Sequence, residues 1–127
     1  MNKKDQYQVQ VDVQSEYLPE HSDEDKGVYV FAYHVHLKNT GETSAQLMTR
    51  HWVITDGDRH VEEVHGDGVV GEQPVLNCEE EYRYTSSAVL KTPVGTMHGS
   101  YGMVANDGTV FDATIEPFTL AVSGSLH

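Results

Sequence analysis

Val28-Tyr29-Val30-Phe31-Ala32-Tyr33-His34-Val35-His36-Leu37-Lys38 decides the fold. Tyr29, Phe31, Tyr33, Val35 and Leu37 fall on one side of an extended chain, while His34, His36 and Lys38 turn the other side polar. A helix would scatter these residues round its axis, whereas a period of two lines them up, so the segment reads as a strand. The same alternation runs through residues 7–13, where Tyr7, Val9, Val11 and Val13 interleave with Gln8, Gln10 and Asp12. Between the two lies an acidic stretch, residues 19–27, with no apolar period, which reads as a solvated loop.

Working outward, Asn39-Thr40-Gly41 marks a turn. Residues 45–55 are ambiguous, since Met48 and Trp52 stand four apart as on a helix, but Thr49, Val53, Ile54 and Thr55 are β-branched and favour a strand. Asp56-Gly57 is a two-residue hairpin signal that should fold residues 58–65 back. Tyr82 and Tyr84 alternate with Glu81, Arg83 and Thr85. Met97, Gly99, Tyr101 and Met103 share a face before the turn at Asn106-Asp107-Gly108. In the last segment Phe111, Ala113 and Ile115 are apolar at odd positions, but Phe118, Leu120 and Val122 at even ones. A one-residue slip reverses every side chain, so a bulge or bend must sit at Glu116-Pro117, where proline is tolerated, which predicts two short strands or one strand that bends between sheets. Seven or eight strands without a long helix or a composition break predict a single all-β domain over residues 1–127. The expected form is an immunoglobulin- or fibronectin type III-like β-sandwich of two antiparallel sheets. A small barrel is the competing architecture.

Composition narrows the function. The 127 residues carry 8 Lys+Arg against 20 Asp+Glu, a formal net charge of −12. A domain of this size buries roughly two-thirds of the surface its unfolded chain exposes, enough for one core. The charge opposes nucleic-acid binding, which rests on Lys and Arg neutralising phosphates. No stretch approaches the ~20 apolar residues of a membrane span, so direct membrane insertion is not expected. Met1-Asn2-Lys3-Lys4-Asp5-Gln6 lacks the apolar run of a secretory signal, which makes the cytoplasm the expected location. Cys78 stands alone, which excludes an intramolecular disulfide and a four-Cys zinc site.

Gly66-Asp67-Gly68-Val69-Val70-Gly71 matches G-x-G-x-x-G by letter. A dinucleotide fingerprint needs a helix after it. A helix here would have to cross Pro74 and end on Glu79, Glu80 and Glu81, where its dipole disfavours anions. Residues 82–106 also hold no acid to take a ribose hydroxyl. Two readings remain. The glycines serve a tight loop that needs positive φ or close backbone approach. Alternatively, Gly66, Gly68 and Gly71 form an anion-binding loop that turns backbone N–H groups towards a small phosphate.

His34 and His36 lie two apart on one strand face and could approach a common ion, but spacing fixes no third ligand. Asp23-Glu24-Asp25 lacks the ligand spacing of a calcium loop. The sequence therefore assigns no metal site and no cofactor. Catalysis finds little support. Cys78 neighbours Glu79, Glu80 and Glu81, which work against a thiolate, and no G-x-S-x-G elbow is present. Arg50-His51-Trp52 is a cationic and aromatic cluster in an acidic chain, with Arg50 and Trp52 on one side of the strand. Exposed, that pair is a candidate partner surface. Turned inward, Trp52 is a core residue.

These pieces together resemble the bacterial ApaG family from about Tyr7 to Val122. The resemblance rests on Arg50-His51-Trp52, on residues 66–74 with their Val69-Val70-Gly71-Glu72-Gln73-Pro74 ending, and on Tyr84-Thr85-Ser86. Gly95-Thr96-Met97, Gly99-Ser100-Tyr101, Phe111, Ile115 and Phe118 complete it. Cys78-Glu79 stands where that family usually has Pro-Gly, and Ser87 where glycine is common. Both departures are expected to alter turns locally. The resemblance implies a fibronectin type III-like sandwich and an association with cobalt/magnesium efflux, which a chain without a membrane span would exert through a partner. Similar domains in eukaryotic F-box and polymerase-interacting proteins imply protein binding. A diadenosine tetraphosphate hydrolase as the family's usual gene neighbour implies a phosphate ligand. The expected function is thus a non-catalytic interaction module with a protein partner, possible as a homodimer. The alternative is a binder of pyrophosphate or a dinucleoside polyphosphate through residues 66–71.

Overall fold

The computed structural model describes residues 5–122. The leader reading of residues 1–6 falls largely outside them. Among the described residues there are eight strands: β1 (Val9–Tyr17), β2 (Tyr29–Asn39), β3 (Ala45–Asp56), β4 (Val61–Asp67), β5 (Val75–Leu76), β6 (Glu81–Leu90), β7 (Val94–Ala105) and β8 (Val110–Ala121). One antiparallel sheet has the order β1-β2-β6. The other has the order β4-β3-β7-β8, with the short β5 also on β3. The two pack face to face as a fibronectin type III-like sandwich. The acidic connection between β1 and β2 holds two 3-10 turns, Pro19–His21 and Glu24–Lys26, rather than an unstructured loop. None of the described residues forms a helix long and apolar enough to cross a membrane.

In β2 the alternation is kept, with Phe31, Tyr33, Val35 and Leu37 buried and His34 exposed. The parity change in β8 is one bulge in a continuous strand. Met97 pairs with Phe118 and Gly99 with Ile115, so Glu116 and Pro117 together oppose His98. A second slip lies in β3, where Leu47 pairs with Met103 and Thr49 with Gly102, leaving Met48 extra. Ala45 and Leu47 point inward before it and Trp52 after it. That slip explains the helix-like Met48–Trp52 spacing.

The two-residue hairpin expected at Asp56-Gly57 is corrected to a three-residue loop. Asp56 N–H donates to the His60 carbonyl at 3.0 Å, and Arg59, at φ 69, closes the turn. The Asp56 carboxylate favours this wider turn by accepting from the N–H groups of Asp58 (2.8 Å) and His60 (3.0 Å). The β7–β8 hairpin repeats the geometry, with Gly108 at φ 88.

Phe31, Leu37, Leu47, Tyr101, Met103 and Leu120 form the centre of the core. Trp52 lies among them at 2% exposure, its ring edge-on to Tyr33 (5.2 Å), Phe118 (5.9 Å) and Tyr101 (6.2 Å). On one flank the sandwich is closed, because β1 runs along β8 and Ser15 Oγ donates to the Thr119 carbonyl at 2.7 Å. On the other flank β4 and β6 each end their sheet. That flank is open.

Candidate functional site

Three adjoining hollows of about 420, 470 and 270 Å³ run along the open flank. The first and second share Ile54, Glu62 and Val89, and the second and third share Tyr33, Arg50 and Ser86. They make one groove between two sheet edges. One end sets Val61, at 61% exposure, Val89, at 57%, Ile54 and Leu90 among Asp56, His60, Glu62 and Lys91. Its other end lies under the glycine segment, against Tyr84, Thr85 and Ser86.

Arg50 is the hub of this groove. It faces into the sandwich from β3, opposite Gly66 on β4. Its Nη1 donates to the carbonyls of Asp67 and Gly68, both at 3.0 Å. A Cβ on Gly66 would stand 2.5 Å from the guanidinium carbon, so only glycine lets Arg50 lie there. Among the described residues, no carboxylate pairs with Arg50. Behind it the hydroxyls of Tyr84 and Tyr101 hydrogen-bond each other. Burial pushes both phenols well above their usual value, so they stay protonated donors at neutral pH.

The glycine segment is a turn on a short leash. Gly68 N–H donates to the Met48 carbonyl at 2.8 Å, and Gln73 Nε2 to the same carbonyl at 3.0 Å. Val69 N–H donates to the Glu72 carbonyl (2.8 Å) and Glu72 N–H to the Val69 carbonyl (2.9 Å), with Val70 at φ 48 and Gly71 at φ 79 between them. Positive φ at both central residues is the type I′ hairpin. No helix follows. The loop's amides at 68, 69 and 72 are spent within the protein, and Arg50 binds its carbonyls. Of the three glycines, Gly68 and Gly71 serve positive φ, and Gly66 serves close approach.

The structure keeps Arg50 at the groove and corrects Trp52. Its indole is buried among three aromatic rings beneath the floor of the middle hollow, because the slip at Met48 turns that side of β3 inward, so Trp52 leaves the candidate partner surface. Val70, which the sequence reading passed over, is 65% exposed on the groove's rim. A β-branched residue before the glycine of a type I′ turn was the available signal, hidden by the G-x-G-x-x-G lettering. His34 and His36 do not converge. His34 Nε2 shares a hydrogen bond with Glu16 at 2.9 Å and His36 Nε2 one with Glu81. That second bond holds the Glu81 carboxyl below its usual range. Ser87 lies within β6 opposite Ala32, so the expected effect on a turn is corrected: only Cys78-Glu79 occupies one. There the Glu80 N–H reaches the Asn77 carbonyl at 2.9 Å with Glu79 at φ 71.

A two-sheet antiparallel sandwich, closed along β1–β8 and open along β4–β6 with an arginine-strapped glycine turn at the opening, defines a fibronectin type III-like domain. The family model described as ApaG domain matches residues 19–105. A protein named ApaG from Azotobacter vinelandii is 56% identical over 121 residues, 95% of this chain and 96% of that one. Another from an Azoarcus species is 54% identical over the full length of both. The crystal structure of a Bordetella pertussis protein described as ApaA superposes with a TM-score of 0.93 at 46% identity, covering 97% of this chain and 100% of that one. The chain belongs to the ApaG family.

Proposed function

We propose that this chain is a non-catalytic interaction module that takes a partner protein along the β4–β6 groove, and that any part in cobalt/magnesium efflux passes through that partner. Val70 carries the reading. A β-branched side chain at positive φ costs the fold about 1–2 kcal/mol relative to a residue suited to the left-handed region. It is nonetheless presented to solvent at the rim where Arg50, Tyr84 and Ser86 meet. Strain of that kind collects where a surface has work beyond folding. Two unpaired strand edges, with Val61 and Val89 exposed on their outward sides, add a template for an extended segment of the partner. A second copy of this chain and a different protein both fit that description. The groove sets Asp56, His60, Glu62, Lys91 and Arg50 among valines and serines, a mixed apolar and charged rim that supports a protein partner carrying both kinds of group.

Replacing Val70 with Asn gives the turn its preferred Asn-Gly and should stabilise the protein by about 1 kcal/mol. The same change should weaken partner capture. A photo-crosslinker at Val70 or Val89 should trap the partner in cells, while one at Val110, 73% exposed at the β7–β8 end, should not. Equal trapping at all three, or capture unaffected by Val70→Asn, would sink the proposal. The small-anion reading keeps one supporting observation, the guanidinium of Arg50 without a carboxylate. Pyrophosphate titrated into labelled protein should then move the Val70 and Gly71 amides saturably, and an unchanged spectrum ends that reading.

A further inference from the structure

The outer face of the five-stranded sheet carries a second cluster, independent of the groove. β3 and β4 pair His51 directly with His65 and Val53 with Glu63. Glu63 and His65 are two apart on β4, so all three functional side chains emerge on one face. His51 Nε2 lies 2.8 Å from Glu63 Oε1, and His65 Nε2 lies 3.9 Å from the same oxygen. The two imidazoles stack at 4.2 Å with 9° between their planes. One ligand atom from each residue falls within 4.8 Å of the others. It is the only such group of His, Cys, Asp and Glu among the described residues.

From this arrangement we infer that His51, Glu63 and His65 form a binding site for a first-row transition-metal dication. Ligand atoms bound tetrahedrally at ~2.0–2.1 Å stand about 3.3 Å apart. The two separations seen here, 2.8 and 3.9 Å, lie on either side of that spacing. Small rotations of the exposed Glu63 and His65 and the half-buried His51 close the difference, and the rings must turn out of their stack so that both nitrogens converge on the ion. The carboxylate already sits against both imidazoles. Two nitrogens and one oxygen suit Zn²⁺, Co²⁺, Ni²⁺ or Cu²⁺, whereas Mg²⁺ prefers an all-oxygen shell. Three protein ligands leave a fourth position to solvent. Asp67, two residues beyond His65 on the same face, borders the shallow depression beside the pair. The sheet supplies the spacing without a loop, since directly opposed strand residues hold their Cβ atoms about 4.5–5.5 Å apart. His34 and His36, on the other sheet, lack this convergence, each pairing with a different carboxylate, and Arg83 stands 3.6 Å from Glu81, the partner of His36.

The test is calorimetric titration of the full chain with Zn²⁺ at physiological ionic strength, which suppresses diffuse attraction to the acidic surface. One ion per chain should bind saturably. His51→Ala and His65→Ala should each weaken it more than tenfold, Glu63→Gln several-fold, and the double change His34→Ala/His36→Ala should leave it unaltered. Co²⁺ added to unsubstituted, labelled protein should broaden amides around residues 51, 63 and 65, which keeps the test valid should a variant misfold. Absence of saturable binding, Zn²⁺ affinity unaffected by His51→Ala and His65→Ala, or broadening centred on another face overturns the site.

Discussion

Trp52 shows how one side chain can change its meaning between sequence and structure. Beside Arg50 it resembles an interface anchor, yet its indole fills the centre of the core against Tyr33, Tyr101 and Phe118. Its Nε1 finds no acceptor among the described residues. Trp52→Ala should therefore cost about 3–5 kcal/mol through the cavity it leaves. Trp52→Phe should cost clearly less, since it also removes a buried N–H whose isolation costs ~1–3 kcal/mol. Denaturant unfolding of the two variants measures both. Equal losses would mean that the indole N–H is satisfied after all. Arg50 differs from its neighbour by one position of reach, its guanidinium extending past the core to strap residues 67 and 68.

At the scale of elements, turns decide most of what the sequence could and could not reveal. Glu79 holds φ 71 in the turn before β6, where type II geometry calls for glycine and the resemblance places Pro-Gly. Glu79→Gly should raise stability by roughly 0.5–1 kcal/mol, because the left-handed conformation is free for glycine and the surface pairing with Lys38 contributes little. A lower unfolding midpoint in that variant would overturn the account. The strands were legible because period-two alternation survives wherever one face is wet, as in β2 and β7. The bulge in β8 was legible because Pro117 marks it. That in β3 was not, since Met48 is an ordinary strand residue and the slip shows only in pairing. For the same reason the groove and the His51–Glu63–His65 cluster were out of reach. Both depend on which strands lie side by side, and alternation along one strand does not specify its neighbour.

For the whole molecule, the buried hydroxyl pair sets an alkaline limit. Folding raises the values of Tyr84 and Tyr101, chiefly through burial, so the native state keeps protons that the unfolded chain releases above pH about 10. The associated stability is fully present below that pH and is lost as pH rises further. Tyr84 and Tyr101 should stay silent in a tyrosinate absorbance titration until the protein unfolds. The double variant Tyr84→Phe/Tyr101→Phe should move that unfolding to higher pH. Ionisation of Tyr84 and Tyr101 with the fold intact would contradict it.

The closed flank has a mechanical consequence as well. Ser15 fastens to Thr119 on that flank, while the Tyr84–Tyr101 hydroxyl pair and the Gly57 N–H, donating to Thr92 Oγ1 at 2.8 Å, cross-link the sheets towards the other. Pinned on both sides, the sheets hold the mouth between β4 and β6 to a fixed gauge. An occupant is then selected by its thickness, as a slot admits only a blade that fits it.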